Sequence, residues 1–273
     1  MIRKVSSVVV AAMLCVAGVF AQGSAITPGN LSKAEVDAMV VKFTANENSF
    51  RQALTDYVFN RYASLSTVGL GGQITGTFRR DSYMTFTSDG KRFEKILFAP
   101  VSTLTELGIT PEDLEDLGGV NPFALEPRNV AQYNFTYLGK EKIDDLNLHV
   151  FEVTPKVIPD PKSGLRLFTG RIWVDDEDLM IVKSKGKAVP ETKKNKFPVV
   201  ETWRENVDGK YWFPAFASSD DELVFDSGQV VRLRLRVKYT DYKMGRTDVI
   251  VGDAEDVSDQ QPQPAASPTP KKP

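Results

Sequence analysis

Apolar residues near the start of the chain recur with the period of an α-helix. From Ser32 to Gln52 they follow the i, i+3, i+4, i+7 spacing of one helix face, on which Val36 and Phe43 lie. Ser32 and Glu35 have the spacing of a capping box, which satisfies free N–H groups at a helix start. We therefore predict an amphipathic helix over Ser32–Gln52. Its apolar face either packs against a core or covers a cavity as a lid.

Beyond this helix the apolar residues alternate with polar ones, which is the pattern of a β-strand with one buried face. Turn pairs such as Asp89-Gly90 and Asp208-Gly209 separate many of these runs, and strands joined by such short turns are antiparallel. The pattern predicts an antiparallel meander. Its strands are Tyr57–Thr67, Gln73–Arg80, Tyr83–Ser88, Phe93–Phe98, Tyr133–Gly139, His149–Pro155, Phe168–Asp175, Leu179–Lys185, Val199–Asn206, Lys210–Ser218, Glu222–Phe225 and Gln229–Tyr239.

The last predicted strand carries a row of basic residues that alternate with its apolar ones. These are Arg232, Arg234, Arg236 and Lys238. Such a row is typical of the solvated face of a sheet, where long charged side chains also discourage aggregation. The alternative is a surface that binds phosphate head groups or an acidic partner.

The strand pattern stops between Phe98 and Tyr133. Thr110 is a suitable N-cap, Pro111 fits the first helical position, and acidic residues follow in the first turn. Gly118-Gly119 then ends the helix. We predict one or two short helices, inserted midway through the sheet, that cover one of its faces or plug its interior.

The two ends of the chain differ from the part between them. Arg3 and Lys4 precede an apolar run, and Ala21 completes a small-residue cleavage pattern, so residues 1–21 are predicted to be a cleaved signal peptide. An uncleaved N-terminal anchor is the alternative. Leu14 before Cys15 is too bulky for a lipidation site. Residues 253–273 are rich in proline and polar residues and are predicted to be disordered, which leaves 22–252 as a single β domain.

Few residues in the sequence suit catalysis or metal binding. The one cysteine lies in the predicted signal, and the one histidine, His149, lies in a predicted strand without a second histidine or cysteine nearby. The acidic run from Asp175 to Asp178 suits a hairpin turn better than a calcium loop. We therefore predict no catalytic residue, no metal and no cofactor. The net charge of −2 gives no general attraction to nucleic acid.

Aromatic residues are spread over nearly every predicted strand. They fill a core or, where a curved sheet meets a helical layer, line an apolar trough of the kind that binds ligands. The residues predicted to line such a trough are Phe43, Phe78, Phe86, Phe98, Leu114, Leu117, Phe123, Ile172 and Val174.

The order of these parts resembles the LolA/LolB-like superfamily of periplasmic lipoprotein carriers and outer-membrane lipoprotein-sorting proteins. The stretches that carry the resemblance are Gly72–Pro100 with its Asp-Gly-Lys hairpin, Asn121–Lys156 with Asn-Pro-Phe and Val-Thr-Pro-Lys at its ends, and Phe168–Lys183. The chain departs from the family in its extra strands from Val199 to Tyr239 and its proline-rich tail. Arg79 and Arg80 are the nearest candidates for the family's lid-latching arginine.

The resemblance implies an α+β fold that is mainly antiparallel β. It would be a half-open curved sheet, or incomplete β-barrel, with an N-terminal amphipathic helix and short inserted helices that cover or plug its concave face. It implies a soluble periplasmic carrier that shields lipid or lipoprotein acyl chains without covalent chemistry, with transient membrane contact at most. The alternative is a module that binds an envelope protein, such as a stress sensor. A hydrolase would need paired acids or His149 in a cleft.

Overall fold

The computed structural model describes residues 25–110, 113, 125 and 127–245. The predicted signal peptide and tail lie outside these residues, as does most of the inserted helical segment, including Leu114, Leu117 and Phe123. The domain limits 22–252 therefore stay a prediction. No helix among the described residues combines the length and the apolar character needed to cross a membrane.

The predicted N-terminal helix is confirmed as α1, Lys33–Leu54. Ser32 caps it: the backbone N–H of Glu35 donates to Ser32 Oγ at 3.3 Å, and the backbone N–H of Ser32 donates to the Glu35 carboxylate at 2.7 Å. The helix continues past Gln52 because Leu54 is buried against the sheet and extends the apolar face.

The strands form one ten-stranded sheet in which every neighbouring pair is antiparallel, in the spatial order β3-β2-β1-β10-β9-β8-β7-β6-β5-β4. The strands are β1 Tyr57–Val68, β2 Ile74–Phe86, β3 Arg92–Phe98, β4 Tyr133–Ile143, β5 Leu146–Pro155, β6 Leu167–Asp175, β7 Ile181–Val189, β8 Val200–Val207, β9 Tyr211–Val224 and β10 Val230–Met244. The sheet is curved but not closed, since β3 and β4 end it. The predicted fold class, an incomplete antiparallel barrel with one N-terminal helix, is confirmed.

Two breaks predicted between strands are wrong. The predicted strands Gln73–Arg80 and Tyr83–Ser88 are joined in the single strand β2, Ile74–Phe86, and Lys210–Ser218 and Glu222–Phe225 are joined in the single strand β9, Tyr211–Val224. Polar residues interrupt the apolar alternation at both places, but neighbouring strands supply their partners. Ser82 donates to Glu94 of β3, for example. The pairing of β2 with β1 runs through Asp81 and Ser82 without a break, although the register with β3 shifts between these two residues.

Helix α1 packs on the sheet through aromatic side chains. Phe43 is fully buried, with its ring centroid 5.5 Å from that of Phe151, and Phe50 lies 5.8 Å from Phe213. Burial of each such side chain contributes roughly 1.5–3 kcal/mol. These contacts fix the helix across the sheet from β5 to β9.

The basic row of β10 is matched by acidic residues of the neighbouring strand β9. Arg232 is paired with Glu222, and Arg234 and Arg236 share Asp220. The row is therefore largely neutralised within the sheet, as expected of a solvated face.

The acidic run from Asp175 to Asp178 forms the turn between β6 and β7. Within the described ranges, no group of three or more His, Cys, Asp or Glu side chains is placed to hold a metal.

Candidate functional site

A cavity of about 710 Å³ lies on the face of the sheet formed by β1, β10, β9, β8 and the end of β7. Its lining is mostly apolar, because these strands present the apolar half of their alternation to it. The strand residues that line it are Leu65, Ala188, Val200, Thr202, Ala217, Leu223, Leu233, Leu235, Val237 and Tyr239.

The apolar face of β10 forms the centre of this lining. Leu233, Leu235, Val237 and Tyr239 are all buried, whereas the basic residues between them belong to the opposite face. The sequence alternation of this strand therefore produces two surfaces with different roles: a charged outer face paired with β9, and an inner face that lines the cavity.

Three connecting segments form the rim of the cavity, and they carry charges of both signs. They are residues 106–109 after β3, residues 193–198 between β7 and β8, and the turn at 225–229 between β9 and β10. Lys196 pairs with Asp226 at 3.1 Å across two of them. Lys193 and Lys194 are exposed on the rim. An apolar interior with a polar rim is the usual form of a small-ligand site.

An ion pair anchors α1 to the sheet close to the cavity. Glu47 of the helix is completely buried, and its two carboxylate oxygens accept from Arg204 at 2.6 and 2.9 Å. Arg204 also donates to the carbonyl of Ile181 at 3.1 Å and lies over the Phe50 ring. Arg204 lies two residues after Thr202, which lines the cavity on the same strand. The Glu47–Arg204 pair therefore fixes the helix near one side of the cavity.

A cluster of charged residues lies on the other side of the cavity, on β1, β2 and β3. Arg61 donates to Glu94 at 2.6 Å, and Arg80 holds the same carboxylate through two bonds of 3.0 and 2.9 Å. Ser82 donates to it as well. Partial burial alone would raise the pKa of Glu94, but the Ser82 hydrogen bond and the two arginines together lower it below its usual range. Glu94 is therefore a carboxylate at neutral pH.

The trough residues predicted from the sequence fall in several places. Phe43, Ile172 and Val174 belong to one buried core cluster. Phe78 and Phe86 are half-buried on β2, and Phe98, on the edge strand β3, is 50% exposed. None of these six is among the residues that line the cavity. Ligand contact by any of the predicted residues stays a prediction.

The residues that do line the cavity were missed by the sequence reasoning. Leu233, Leu235 and Val237 form the apolar half of the last predicted strand, and their alternation indicates a buried face but not a cavity. The loop 193–198 gave no periodic signal. Its place over the sheet follows from tertiary packing and not from local sequence.

No protein-family model matches the chain, and no curated protein matches it. Among solved structures, the chain is similar to a DUF1329 family protein from Desulfovibrio piger, at 16% identity and TM-score 0.38, with 80% of this chain and 95% of that one covered. It is also similar to a LolA superfamily protein from Nitrosomonas europaea, at 15% identity and TM-score 0.32, with 74% and 94% covered.

A third similar structure is a domain described as a putative outer membrane lipoprotein-sorting protein from Vibrio parahaemolyticus, at 14% identity and TM-score 0.33, with 73% and 91% covered. The second and third structures bear the names of the superfamily that the sequence resembles. The fold is defined by the sheet order, and the site by the cavity.

Proposed function

We propose that this chain is an exported, periplasmic binding protein that shields the acyl chain of a lipid or lipoprotein in the cavity beside β10. The observation that carries the proposal is the apolar cavity of about 710 Å³. Its volume lies within the range of roughly 300–1,000 Å³ that is usual for small-molecule sites. The signal-like sequence of residues 1–21 supports the location outside the cytoplasm.

Burial of hydrocarbon supplies the affinity in this proposal. Each methylene group moved from water into an apolar site contributes about 0.8 kcal/mol, which corresponds to about a fourfold gain in affinity. Leu233, Leu235 and Val237 offer such a surface without buried charges. Binding of this kind needs no covalent step. His149 is buried on β5 and lies 3.2 Å from the Tyr137 hydroxyl, away from the cavity lining.

A series of straight-chain alcohols of increasing length tests the proposal. Each alcohol is titrated against a fluorescent fatty-acid probe bound to the protein. Affinity should rise about fourfold for each added methylene until the cavity is full, and then level off. Affinity that does not depend on chain length, or no displacement of the probe at any length, would contradict the proposal.

A pair of variants then places the binding in this cavity. Val237→Trp fills space in the lining and should abolish the dependence on chain length. Val224→Trp makes the same substitution on β9 at a residue that is 59% exposed and outside the lining, and should bind as the original protein does. Thermal unfolding of both variants checks that they fold. Equal binding by the two variants would place the ligand elsewhere.

A second candidate function is binding of an envelope protein, and the edge strand β3 favours it. This strand ends the sheet, and Phe93, Leu97 and Phe98 are each about half exposed on it, at 47%, 53% and 50%. Exposed apolar edges add strands from other chains. Crosslinking in cells followed by native mass spectrometry separates the two functions. One stable protein partner without co-purified lipid would favour this second function.

A further inference from the structure

The charged cluster of Arg61, Arg80 and Glu94 lies beside the apolar cavity, on the same face of the sheet. Arg61 lies opposite Tyr239 in the register between β1 and β10, and Tyr239 lines the cavity. On β1, Leu65 also lines the cavity, and alternation places Arg61 on the same face as Leu65. Arg80 belongs to this face too, since it lies opposite Ala63 of β1.

The cluster contains more positive than negative charge. Two arginines share the single carboxylate of Glu94, whose side chain is 24% exposed. Asp81, the next residue after Arg80, points to the other face of the sheet and is paired there with Arg79 at 2.7 Å. Among the residues that the structure describes, one guanidinium charge of this cluster is therefore left without a matching anion.

The hydrogen-bonding groups of Arg61 show the same imbalance. Its side chain is only 4% exposed, and one of its guanidinium nitrogens donates to Glu94. Its Nε atom is buried and has no hydrogen-bond partner among the described residues. A buried donor without a partner is unfavourable, and buried cations are normally paired. The neighbouring Tyr239 supplies no charge, because burial raises the pKa of its phenol.

We propose that the ligand of the cavity carries an anionic head group, a carboxylate or a phosphate, which binds beside Arg61 and Arg80 while its chain occupies the apolar space. This inference rests on the proposed function and adds the chemical class of the head group. The anion would supply the missing negative charge and accept from the guanidinium groups. Arginine suits both carboxylate and phosphate because its planar fork binds either one through paired hydrogen bonds.

Three amphiphiles with the same hydrocarbon chain test the head group: hexadecanol, hexadecanoic acid and hexadecyl phosphate. Each displaces the same fluorescent probe from the full chain at low salt and mildly alkaline pH, where the acid is ionised. The acid, the phosphate or both should bind about tenfold more tightly than the alcohol, as expected for a charge-assisted hydrogen bond. If only hexadecyl phosphate binds more tightly than hexadecanol, the head group is a phosphate. If hexadecanoic acid binds more tightly than hexadecanol, the site accepts a carboxylate.

Adjacent arginines on opposite faces provide matched variants. Arg80→Gln removes the excess charge, and its side chain is 20% exposed, so the substitution should be tolerated. This substitution should lower the affinity for the anionic ligand to about the affinity for the alcohol. Arg61→Gln should have the same effect. Arg79→Gln makes the same change on the other face and should keep the full preference. Affinity for hexadecanol, measured on every variant, shows that the cavity is intact.

The outcomes separate the inference from the function on which it rests. Equal affinity of the original protein for all three amphiphiles overturns the head-group inference and leaves acyl-chain binding intact. Loss of preference in Arg79→Gln but not in Arg80→Gln or Arg61→Gln also overturns it. Failure of all three amphiphiles to bind overturns the proposed function itself, and the head-group inference with it.

Discussion

Replacing Arg204 with methionine should strongly destabilise the protein, because it leaves the carboxylate of Glu47 buried without its partner. Glu47 is completely buried, and Arg204 is 6% exposed. Methionine keeps much of the aliphatic stem of the arginine but removes the guanidinium. The substitution also removes the hydrogen bond to the Ile181 carbonyl and the contact with the Phe50 ring.

The expected loss is about 3–5 kcal/mol in the free energy of unfolding, which is typical when one partner of a buried pair is removed. The pair itself contributes much less, because both charges had to leave water. Replacing both partners with apolar residues, Glu47→Leu together with Arg204→Met, should therefore restore most of the stability. The double variant should lie within about 1 kcal/mol of the original protein or exceed it.

Urea unfolding followed by circular dichroism measures these differences, with the urea dependence m serving as a check on two-state behaviour. Lys33→Met is the matched control. Lys33 pairs with Asp37 at 2.6 Å, but the two side chains are 86% and 60% exposed, so the loss should not exceed about 0.5 kcal/mol. A smaller loss of stability in Arg204→Met than in the control, or a double variant that loses as much as the two single variants added together, would contradict this prediction.

Two further predictions concern a titrating side chain and a close strand contact. Burial, with a smaller effect of Lys140, lowers the pKa of His149, so NMR should show this single histidine titrating below about 6.5. The folded state then binds the proton less readily than the unfolded state does. The contribution of His149 should therefore lower the free energy of unfolding as the pH falls below about 6.5. A measured pKa of His149 above that value would contradict this prediction. Gly186→Ala should cost about 1–3 kcal/mol in urea unfolding, because its Cβ would lie 2.3 Å from the Phe168 ring, whereas Gly108→Ala, with open space around it, should be neutral. Equal stability of the two alanine variants would refute the packing argument.

The sequence was sufficient to predict α1 and the antiparallel class of the sheet, because local patterns determine both. The capping box at Ser32 and the helical spacing of Val36 and Phe43 define the helix. Alternation and short turns define the strands. Glu47 lies four residues after Phe43, on the same helix face, and is buried in the structure, which the sequence analysis did not predict. Its partner Arg204 lies 157 residues further along the chain, where no local pattern connects the two.

An apolar trough was one of two alternatives that the sequence left open, and the sequence did not predict the position of the cavity. An apolar trough follows from a curved sheet that meets a helix, but its position depends on which strands the helix covers. Phe43 and Phe50 fill the part of the trough over β5 to β9, so the open space remains beside β10. The long strands β2 and β9 were each predicted as two because residues such as Asp220 break the apolar alternation. Their partners are cross-strand neighbours that only the sheet order reveals.

The position of β10 between β1 and β9 has a consequence for the order of folding. Tyr57 of β1 pairs with Met244 of β10, and β10 is the strand that connects β1 with β9. The first strand can therefore pair with the remainder of the sheet only after the last strand is available. Without β10, no hydrogen-bonded strand would connect β1 with β9, and the cavity would lack its central strand. Pairings of such high contact order form slowly. A chain that is cut short before β10 therefore loses more than one strand: it also loses the connection between β1 and β9 and the central wall of the cavity.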